Sequence, residues 1–334
     1  MLEPGLVLVT GENGAGKTNL LESLHVGTQG FSPRTRADQQ LVRFGADAAR
    51  VALAGERDGR PLELEVTLQR EAGKRAKLNG APLRTVEQLR AEVSTLVFTP
   101  DRLAVVKGGP AARRAYFDRA LGRLLPGRAS LPVEYAAALG QRNAALRRVQ
   151  VGASTLAAVA PWTDQVATLG AALVVSRQEA LTLLAPAFAD RAGELGLAAA
   201  ALDYEGEPPT ADGLAARLDR DVERGVTGAG PHLDDVSIRS GERDLRAYGS
   251  QGEQRLAVLS LLLAEAEVIV DRSGVPPLVL LDDVLSELDA GRRRILAERI
   301  GRAGQAVVTA TGAEALPLEP SQLLEVTPGT VRVL

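Results

Sequence analysis

The chain has 334 residues, 45% hydrophobic and 24% charged, a composition typical of one large or two ordinary soluble domains. Its 39 basic and 42 acidic residues give a net charge of −3, which excludes a protein that coats nucleic acid through its overall charge. The absence of cysteine excludes disulfide frameworks and zinc–thiolate sites, and two histidines exclude a histidine-rich metal site. No apolar run approaches the ~20 residues that span a bilayer and no secretory signal is visible, so we expect a cytoplasmic protein without a membrane partner.

The first part of the chain predicts an α/β body. The apolar run from Leu6 to Val9 is short, β-branched and bounded by glycines, which indicates a buried strand. Glycine-rich sequence follows, and then apolar residues at helical spacing from Leu20 to Leu24. Residues 62–68 alternate between apolar and polar and predict a half-exposed strand, while Asn79-Gly80 predicts a hairpin turn. Another strand is predicted at 96–98.

From Lys107 the composition changes to alanine, leucine and arginine with helical periodicity. One apolar stripe, which includes Arg142, runs from Tyr135 to Val149, and a second runs from Trp162 to Leu173. This pattern predicts an antiparallel helical hairpin whose first helix, with about 18 residues, is roughly 27 Å long. Either a compact helical subdomain or a projecting arm fits it. Residues 107–150 contain nine basic and two acidic residues, a net charge of +7 on an otherwise acidic chain.

The last part of the chain returns to the α/β pattern. A long apolar helix is predicted at 256–270, and strands are predicted at 201–204, 236–238, 277–281, 306–309 and 324–326. The layout is a body whose two halves are separated by inserted helices. The predicted division is 1–106 for the first half of the body, 107–200 for the inserted helical arm and 201–334 for the second half.

Residues 11–18, with the sequence GENGAGKT, fit the phosphate-loop pattern G-x-x-x-x-G-K-[ST], between a predicted strand and a predicted helix. The glycines allow successive backbone N–H groups to surround an anion. Lys17 is then placed to reach the β- and γ-phosphates of a nucleotide, and the Thr18 hydroxyl to ligate Mg²⁺. The predicted cofactors are ATP and Mg²⁺, and the predicted nucleotide-binding residues are Gly11, Glu12, Asn13, Gly14, Ala15, Gly16, Lys17 and Thr18.

Two acids follow the predicted strand at 277–281. Asp282 is predicted to ligate the metal beside Thr18, and Asp283 to polarise the attacking water, which makes Lys17 and Asp283 the predicted catalytic residues. Their wide separation from the phosphate loop disfavours small GTPases and nucleoside kinases. It favours a P-loop body that carries an insertion.

A third motif precedes the long apolar helix. Tyr248-Gly249-Ser250-Gln251-Gly252-Glu253 places a hydroxyl and a bare backbone at a helix N-terminus, which is an anion-binding arrangement. Together with residues 286–289 after the two acids, it resembles the signature motif and D-loop of ABC-type ATPases. In that class the signature of one subunit closes over ATP held by the other. The resemblance therefore implies that Ser250 and Gly252 contact nucleotide in trans.

With these motifs assembled, the chain resembles the RecF family of bacterial recombination mediators. The segments 32–35, 98–108 and 230–235 are similar to further stretches of that family, and the resemblance covers nearly the whole chain. It implies a P-loop NTPase of ABC/SMC-head type, with mixed β-sheets, helices and an inserted helical arm. Asp283 stands where most ABC ATPases have glutamate, and the stretch Thr309-Ala310-Thr311 has threonine where transporter ATPases usually have the switch histidine.

The resemblance also implies a function in DNA repair, DNA replication and the SOS response. Expected are weak DNA-stimulated ATPase activity, an ATP-dependent homodimer, and largely sequence-independent binding of single-stranded and duplex DNA at gaps or junctions. The expected partners are RecR, RecO and RecA. The protein is expected to help RecR and RecO to load RecA. Arginines of the basic segment are predicted to contact DNA phosphates: Arg113, Arg114, Arg123, Arg142, Arg147 and Arg148.

Two other functions fit the nucleotide motifs. An ATP-binding subunit of an ABC-type transporter would carry the same signature, with a membrane partner and no DNA binding. A nucleotide-sensing clamp would bind ATP and DNA without hydrolysis.

Overall fold

The structure is a computed structural model that describes residues 1–35, 37–57, 59–70, 73–302 and 304–334. Within these residues the strands are β1 (Leu6–Thr10), β2 (Ala48–Arg57), β3 (Arg60–Gln69), β4 (Gly73–Leu78), β5 (Ala81–Pro82), β6 (Thr95–Phe98), β7 (Ala200–Glu205), β8 (Asp235–Ser240), β9 (Arg243–Asp244), β10 (Leu278–Leu281), β11 (Ala306–Thr309), β12 (Gln322–Thr327) and β13 (Thr330–Val333).

The α-helices of the same described residues are α1 (Lys17–Gln29), α2 (Ala104–Lys107), α3 (Pro110–Leu124), α4 (Leu131–Gln150), α5 (Ala160–Glu194), α6 (Ala211–Ala215), α7 (Leu218–Arg224), α8 (Leu245–Tyr248), α9 (Gln251–Ser273) and α10 (Ala290–Arg302). Short 3₁₀ turns connect several of these elements. The strands and helices predicted in the α/β parts of the sequence are confirmed.

The chain forms two compact units, one from Met1–Arg102 with Ile269–Leu334 and the other from Leu103–Val268. The second unit contains residues 201–268 together with the inserted helices. The units follow spatial contacts and not chain order, and the three-part division at 106 and 200 stays a prediction.

A six-stranded sheet forms the centre of the first unit, in the order β13-β12-β1-β11-β10-β6. Its strands are parallel except for the β12–β13 pair. The central strands β1, β10 and β11 read as almost uninterrupted apolar runs because both of their faces are buried. Helix α1 packs on one face through Leu21 and Leu24. Since parallel strands end at one edge, the segments that follow β1, β6, β10 and β11 meet there.

A second, antiparallel sheet in this unit has the order β2-β3-β4-β5. Leu64, Val66 and Leu68 of β3 are buried in a core that also contains Val26 of α1. The β4–β5 hairpin turns at Asn79-Gly80, with φ +48° and +80°, and Leu78 pairs with Ala81 across it. These angles are those of the predicted two-residue turn.

The second unit contains the predicted helical hairpin. Helices α4 and α5 run antiparallel, because Arg142 contacts Thr163 while Tyr135 lies beside Gly170. A small sheet in the order β7-β8-β9 belongs to the same unit. Helix α5 has 35 residues, more than the sequence stripe indicated.

One helix in the described part of the chain, Leu156–Glu194, is long and apolar enough to cross a membrane by length and composition, with mean hydropathy 1.2. Sequence analysis found no apolar run long enough to span a bilayer, because polar residues interrupt the apolar stretch of this helix. A core helix of a soluble protein passes the same test, and this helix contacts α3, α4, α6 and β7. It also buries Arg177, which pairs with Asp118 at 2.8 Å. These contacts bury part of the helix against the rest of its unit, and 39% of its most apolar window is buried.

The helical hairpin is held by a buried charge pair. Arg142 is fully buried, and its guanidinium donates to the carboxylate of Asp221 at 2.8 Å. The same guanidinium donates to the hydroxyls of Thr227 at 2.8 Å and Thr163 at 3.1 Å. A buried ion pair stabilises a fold only while both partners are present, because either one alone leaves an uncompensated charge.

We therefore predict that Arg142→Ala lowers the free energy of unfolding by about 3–5 kcal/mol. Urea denaturation followed by fluorescence of Trp162, which packs beside Leu146 and is the only tryptophan of the chain, measures this change. Arg148→Ala on the exposed face of the same helix is the control and should change stability by less than about 0.5 kcal/mol. Equal effects of the two substitutions would contradict the structural role of Arg142.

Candidate functional site

The loop between β1 and α1 has a backbone that only glycine adopts readily. Gly11, Gly14 and Gly16 have φ values of +148°, +83° and +113°. A Cβ at Gly11 would also lie 2.3 Å from the carbonyl oxygen of Val326. The glycines of the predicted phosphate loop are thus required by backbone geometry and by close packing against β12.

Lys17 begins α1 and its side chain folds back onto the loop. The Nζ group donates to the carbonyl oxygens of Gly11 at 2.6 Å and Glu12 at 3.0 Å. The first N–H groups of α1 have no partner within the helix, so a positive helix end and a cation adjoin the same loop. This combination is suited to bind a phosphate group.

A buried carboxylate lies beside the loop, at the edge of the parallel sheet. Asp282 is 7% exposed, and the hydroxyl of Thr18 donates to its Oδ2 at 2.9 Å and its Oδ1 at 3.1 Å. The hydroxyl of Thr309, at the end of β11, donates to Oδ1 at 2.8 Å. Thr18 and Asp282, far apart in sequence, are therefore in direct contact. Sequence analysis related Thr309 to the switch position of transporter ATPases but did not predict its contact with Asp282.

The donor set at Asp282 fits a magnesium ion. A hydroxyl and a carboxylate supply oxygen ligands, and neighbouring ligands of an octahedral Mg²⁺ at about 2.1 Å are about 3 Å apart. The Thr18 and Asp282 oxygens have this spacing. Among the described residues no group of three or more His, Cys, Asp or Glu side chains could hold a metal. A magnesium ion here would take its remaining ligands from phosphate and water, as Mg²⁺ commonly does.

Asp283 differs from its neighbour in exposure and backbone. It is exposed and has φ +49°, a left-handed conformation that is unusual for a residue other than glycine. Its N–H donates to the hydroxyl of Thr309 at 2.9 Å, and its carbonyl accepts from Ser286 at 3.1 Å. These two bonds hold the strained turn, which leaves Asp283 exposed directly after the buried Asp282.

In the second unit, the predicted signature motif forms the N-terminus of α9. The Ser250 N–H donates to the Glu253 carboxylate at 2.8 Å, and the Glu253 N–H donates to the Ser250 hydroxyl at 3.2 Å, which is a capping box. These bonds, with Arg243 at 2.7 Å, lower the pKa of Glu253 to about 2. Gly252 is exposed, and nothing lies closer than 3.9 Å to a Cβ built on it. The motif is an accessible helix end.

Three of the six arginines predicted to contact DNA form ion pairs with protein carboxylates; Arg113 and Arg142 are buried, and Arg123 is half-buried. Arg113 pairs with Asp235 at 2.6 Å, Arg123 with Glu265, and Arg142 with Asp221 at 2.8 Å. These ion pairs disfavour phosphate contacts for the three arginines, because their guanidinium groups are already bonded to protein carboxylates. The assignment of DNA contacts stays a prediction. The sequence held a signal for Arg142, which lies on the apolar stripe of its helix.

The other three predicted arginines remain accessible to different degrees. Arg114 is half-buried and donates to the carbonyl oxygen of Asp234 at 2.6 Å. Arg147 and Arg148 are exposed near the end of α4, and Arg147 reaches the carbonyl of Gly225 only at 3.5 Å. Of the six predicted arginines, Arg147 and Arg148 are therefore the ones that are exposed to solvent.

A phosphate loop between a parallel strand and a helix, with an acid after a nearby strand and an antiparallel sheet beside it, defines an ATPase head of ABC/SMC type. The family described as RecF/RecN/SMC N terminal domain matches residues 1–330. The chain is 37% identical to the DNA replication and repair protein RecF of Heliobacterium modesticaldum, over 96% of this chain and 89% of that one. It is 36% identical to RecF of Desulfitobacterium hafniense, over 98% and 93%. The chain belongs to the RecF family.

Solved structures agree with this assignment. The recombination mediator protein RecF with ATP, in the RecFOR pathway, superposes with a TM-score of 0.91 and 26% identity, over 100% of this chain and 92% of that one. The head of an Smc protein, solved bound to the C-winged helix domain of ScpA, has a TM-score of 0.57 at 15% identity, over 99% and 89%. The Smc likeness concerns the fold alone. The predicted family and fold class are confirmed.

Thr309 makes a specific prediction for the site. Thr309→Val removes the donor to Asp282 and the acceptor for the Asp283 N–H, both in a buried position. We expect the unfolding free energy to fall by about 1–3 kcal/mol, because buried polar groups lose their partners. Amide hydrogen exchange at residues 282–286 should also accelerate. Thr309→Ser keeps the hydroxyl and should stay near wild type; equal exchange in both variants would contradict the assignment.

Proposed function

We propose that this protein binds ATP with Mg²⁺ at the phosphate loop and hydrolyses it slowly in the service of DNA repair. The contact between Thr18 and Asp282 beside the glycine loop is the observation that carries the proposal. A hydroxyl and a carboxylate at metal-ligand spacing, next to a cation and a helix N-terminus, suit a nucleotide triphosphate and its metal. The solved RecF with ATP supports the same nucleotide for this chain.

Each residue of the site has a defined task in this proposal. The backbone N–H groups of residues 11–18 bind phosphate oxygens, and the Nζ group of Lys17 leaves the loop carbonyls to bind the β- and γ-phosphates. Thr18 and Asp282 hold Mg²⁺, which would neutralise phosphate charge. Asp283 orients the attacking water and accepts its proton. Its side chain is one carbon shorter than that of glutamate, which is consistent with weak hydrolysis.

A second copy of the chain would complete the site. Ser250 and Gly252 are exposed at the N-terminus of α9, where the first N–H groups of a helix lack partners within the helix. We place them against the nucleotide of the partner copy, so that ATP joins two protomers. The dimer would then form only when nucleotide is bound.

The proposed DNA surface includes Arg147 and Arg148 on α4. Exposed arginines bind backbone phosphates without base preference, and aromatic residues, at 3% of the chain, offer little for base stacking. We therefore propose largely sequence-independent binding of single-stranded and duplex DNA at gaps or junctions, with DNA stimulating hydrolysis. RecR and RecO are the proposed partners in loading RecA, in a cytoplasmic repair pathway, as the RecFOR name of the solved relative suggests.

Membership of the RecF family favours this function over a transporter subunit. The non-hydrolytic clamp shares the proposed ATP and DNA binding and differs only in turnover. An ATPase rate that disappears in Lys17→Ala separates the two.

The dimer is tested by light scattering after gel filtration. With ATP and Mg²⁺, Asp283→Asn should run as a dimer because hydrolysis is blocked, and Lys17→Ala should run as a monomer because phosphate binding is lost. Lys77→Ala removes an exposed lysine of the antiparallel sheet and is the charge-matched control, expected to behave as wild type. A monomeric Asp283→Asn protein that binds ATP would refute the trans arrangement.

The DNA surface is tested by the salt dependence of duplex binding. Replacing Arg147 and Arg148 together with alanine should weaken binding and reduce the slope of log K against log salt by about 1.8, about 0.9 for each lost phosphate contact. The matched control replaces Arg60 and Arg332, two exposed arginines of the other unit. An unchanged slope, or the same loss in the control, would remove α4 from the DNA surface.

A further inference from the structure

Thr99 carries a buried hydroxyl that has no hydrogen-bond partner among the described residues. The residue is 4% exposed and directly follows β6. An enclosed hydroxyl without a partner destabilises a fold, and native proteins pair most such groups. The surroundings of Thr99 therefore need an explanation.

The sheet register places Thr99 beside the carboxylate of the site. Strands β6 and β10 are parallel, with Phe98 paired to Leu281. The N–H of Asp282 donates to the carbonyl of Phe98 at 3.0 Å, which extends the pairing to the edge of the sheet. Thr99 and Asp282 are the next residues of the two strands. Residues in register on neighbouring strands project to the same face of a sheet.

Alternation along β6 identifies this face as the one covered by α1. The hydroxyl of Thr95 donates to Thr28, in the last part of α1, at 2.9 Å. Two residues further on, Val97 lies in the core cluster that contains Leu21 of α1. One more step of two residues reaches Thr99, at the edge where α1 begins. The unpaired hydroxyl therefore belongs to the row that holds Asp282.

Metal binding would change the hydrogen bonds that the Asp282 carboxylate accepts. Its two oxygens accept from Thr18 and Thr309 in this structure. The Thr18 hydroxyl has a single proton, which it shares here between the two carboxylate oxygens. When its oxygen binds a metal ion, the hydroxyl must reorient, and its proton can be directed at only one of them. A neighbouring donor without a partner could then take its place.

We infer, on the basis of the proposed function, that Thr99 is a positioning residue for Asp282. Its hydroxyl donates to the Asp282 carboxylate in the metal-bound state and holds it in the orientation that binds the metal. In the present conformation Thr18 and Thr309 donate to the carboxylate, and the Thr99 hydroxyl has no partner. A residue that merely filled space at this position would need no hydroxyl.

The test compares Thr99→Val with Thr95→Val, two isosteric changes on one strand face. Two quantities are measured: the melting temperature of the nucleotide-free protein, and the affinity of Mn²⁺ for the protein saturated with ATP, by electron paramagnetic resonance. Thr99→Val should keep or raise the melting temperature, because it removes an unpaired buried hydroxyl. It should weaken Mn²⁺ binding about ten-fold, as the loss of one hydrogen bond to a charged group does.

Thr95→Val should show the opposite pattern, because its hydroxyl is bonded to Thr28 and lies away from the metal. We expect a lower melting temperature with unchanged Mn²⁺ affinity. Thr99→Ser keeps the hydroxyl and should restore Mn²⁺ binding. If the wild type binds ATP and Mn²⁺ and Thr99→Val binds them equally well, the inference about Thr99 is wrong and the proposed function stands. A wild type that binds no ATP overturns both.

Discussion

The buried carboxylate of Asp282 is the interaction on which the rest of the site depends. A charged group at the end of an apolar strand loses its hydration, and hydrogen bonds must replace the lost water. Thr18 of α1 and Thr309 of β11 provide these bonds. The carboxylate thereby fixes the first turn of α1, and with it the phosphate loop, to the edge of the parallel sheet.

Local backbone geometry follows from this arrangement. The loop before α1 must turn sharply between a buried strand and the helix, and the glycines adopt the left-handed angles that the turn requires. The chain after Asp282 must leave the sheet at once, and Asp283 takes a positive φ held by Thr309. Thr309 therefore supports both acids, one through its proton and one through its oxygen.

Arginines of the second unit form ion pairs inside it. Arg113, Arg123 and Arg142 look like a basic surface in the sequence, yet each is bonded to a carboxylate far along the chain. The net charge of +7 on residues 107–150 is therefore partly neutralised inside the unit. Of the six arginines predicted to contact DNA, Arg147 and Arg148 are the ones that are exposed.

The local patterns of the sequence were sufficient to predict the central strands, the Asn79-Gly80 hairpin, the helical hairpin and the phosphate loop. Each of these depends on residues close in the chain, through periodicity, turn geometry or a fixed motif. Tertiary structure alone decided which carboxylates Arg113, Arg123 and Arg142 contact, what Thr309 contacts and where Thr99 lies. Those facts depend on strand order and on partners that lie 26 to 142 residues away in the sequence. No local pattern encodes such distances, and burial turns a charged or polar side chain from a surface group into a structural one.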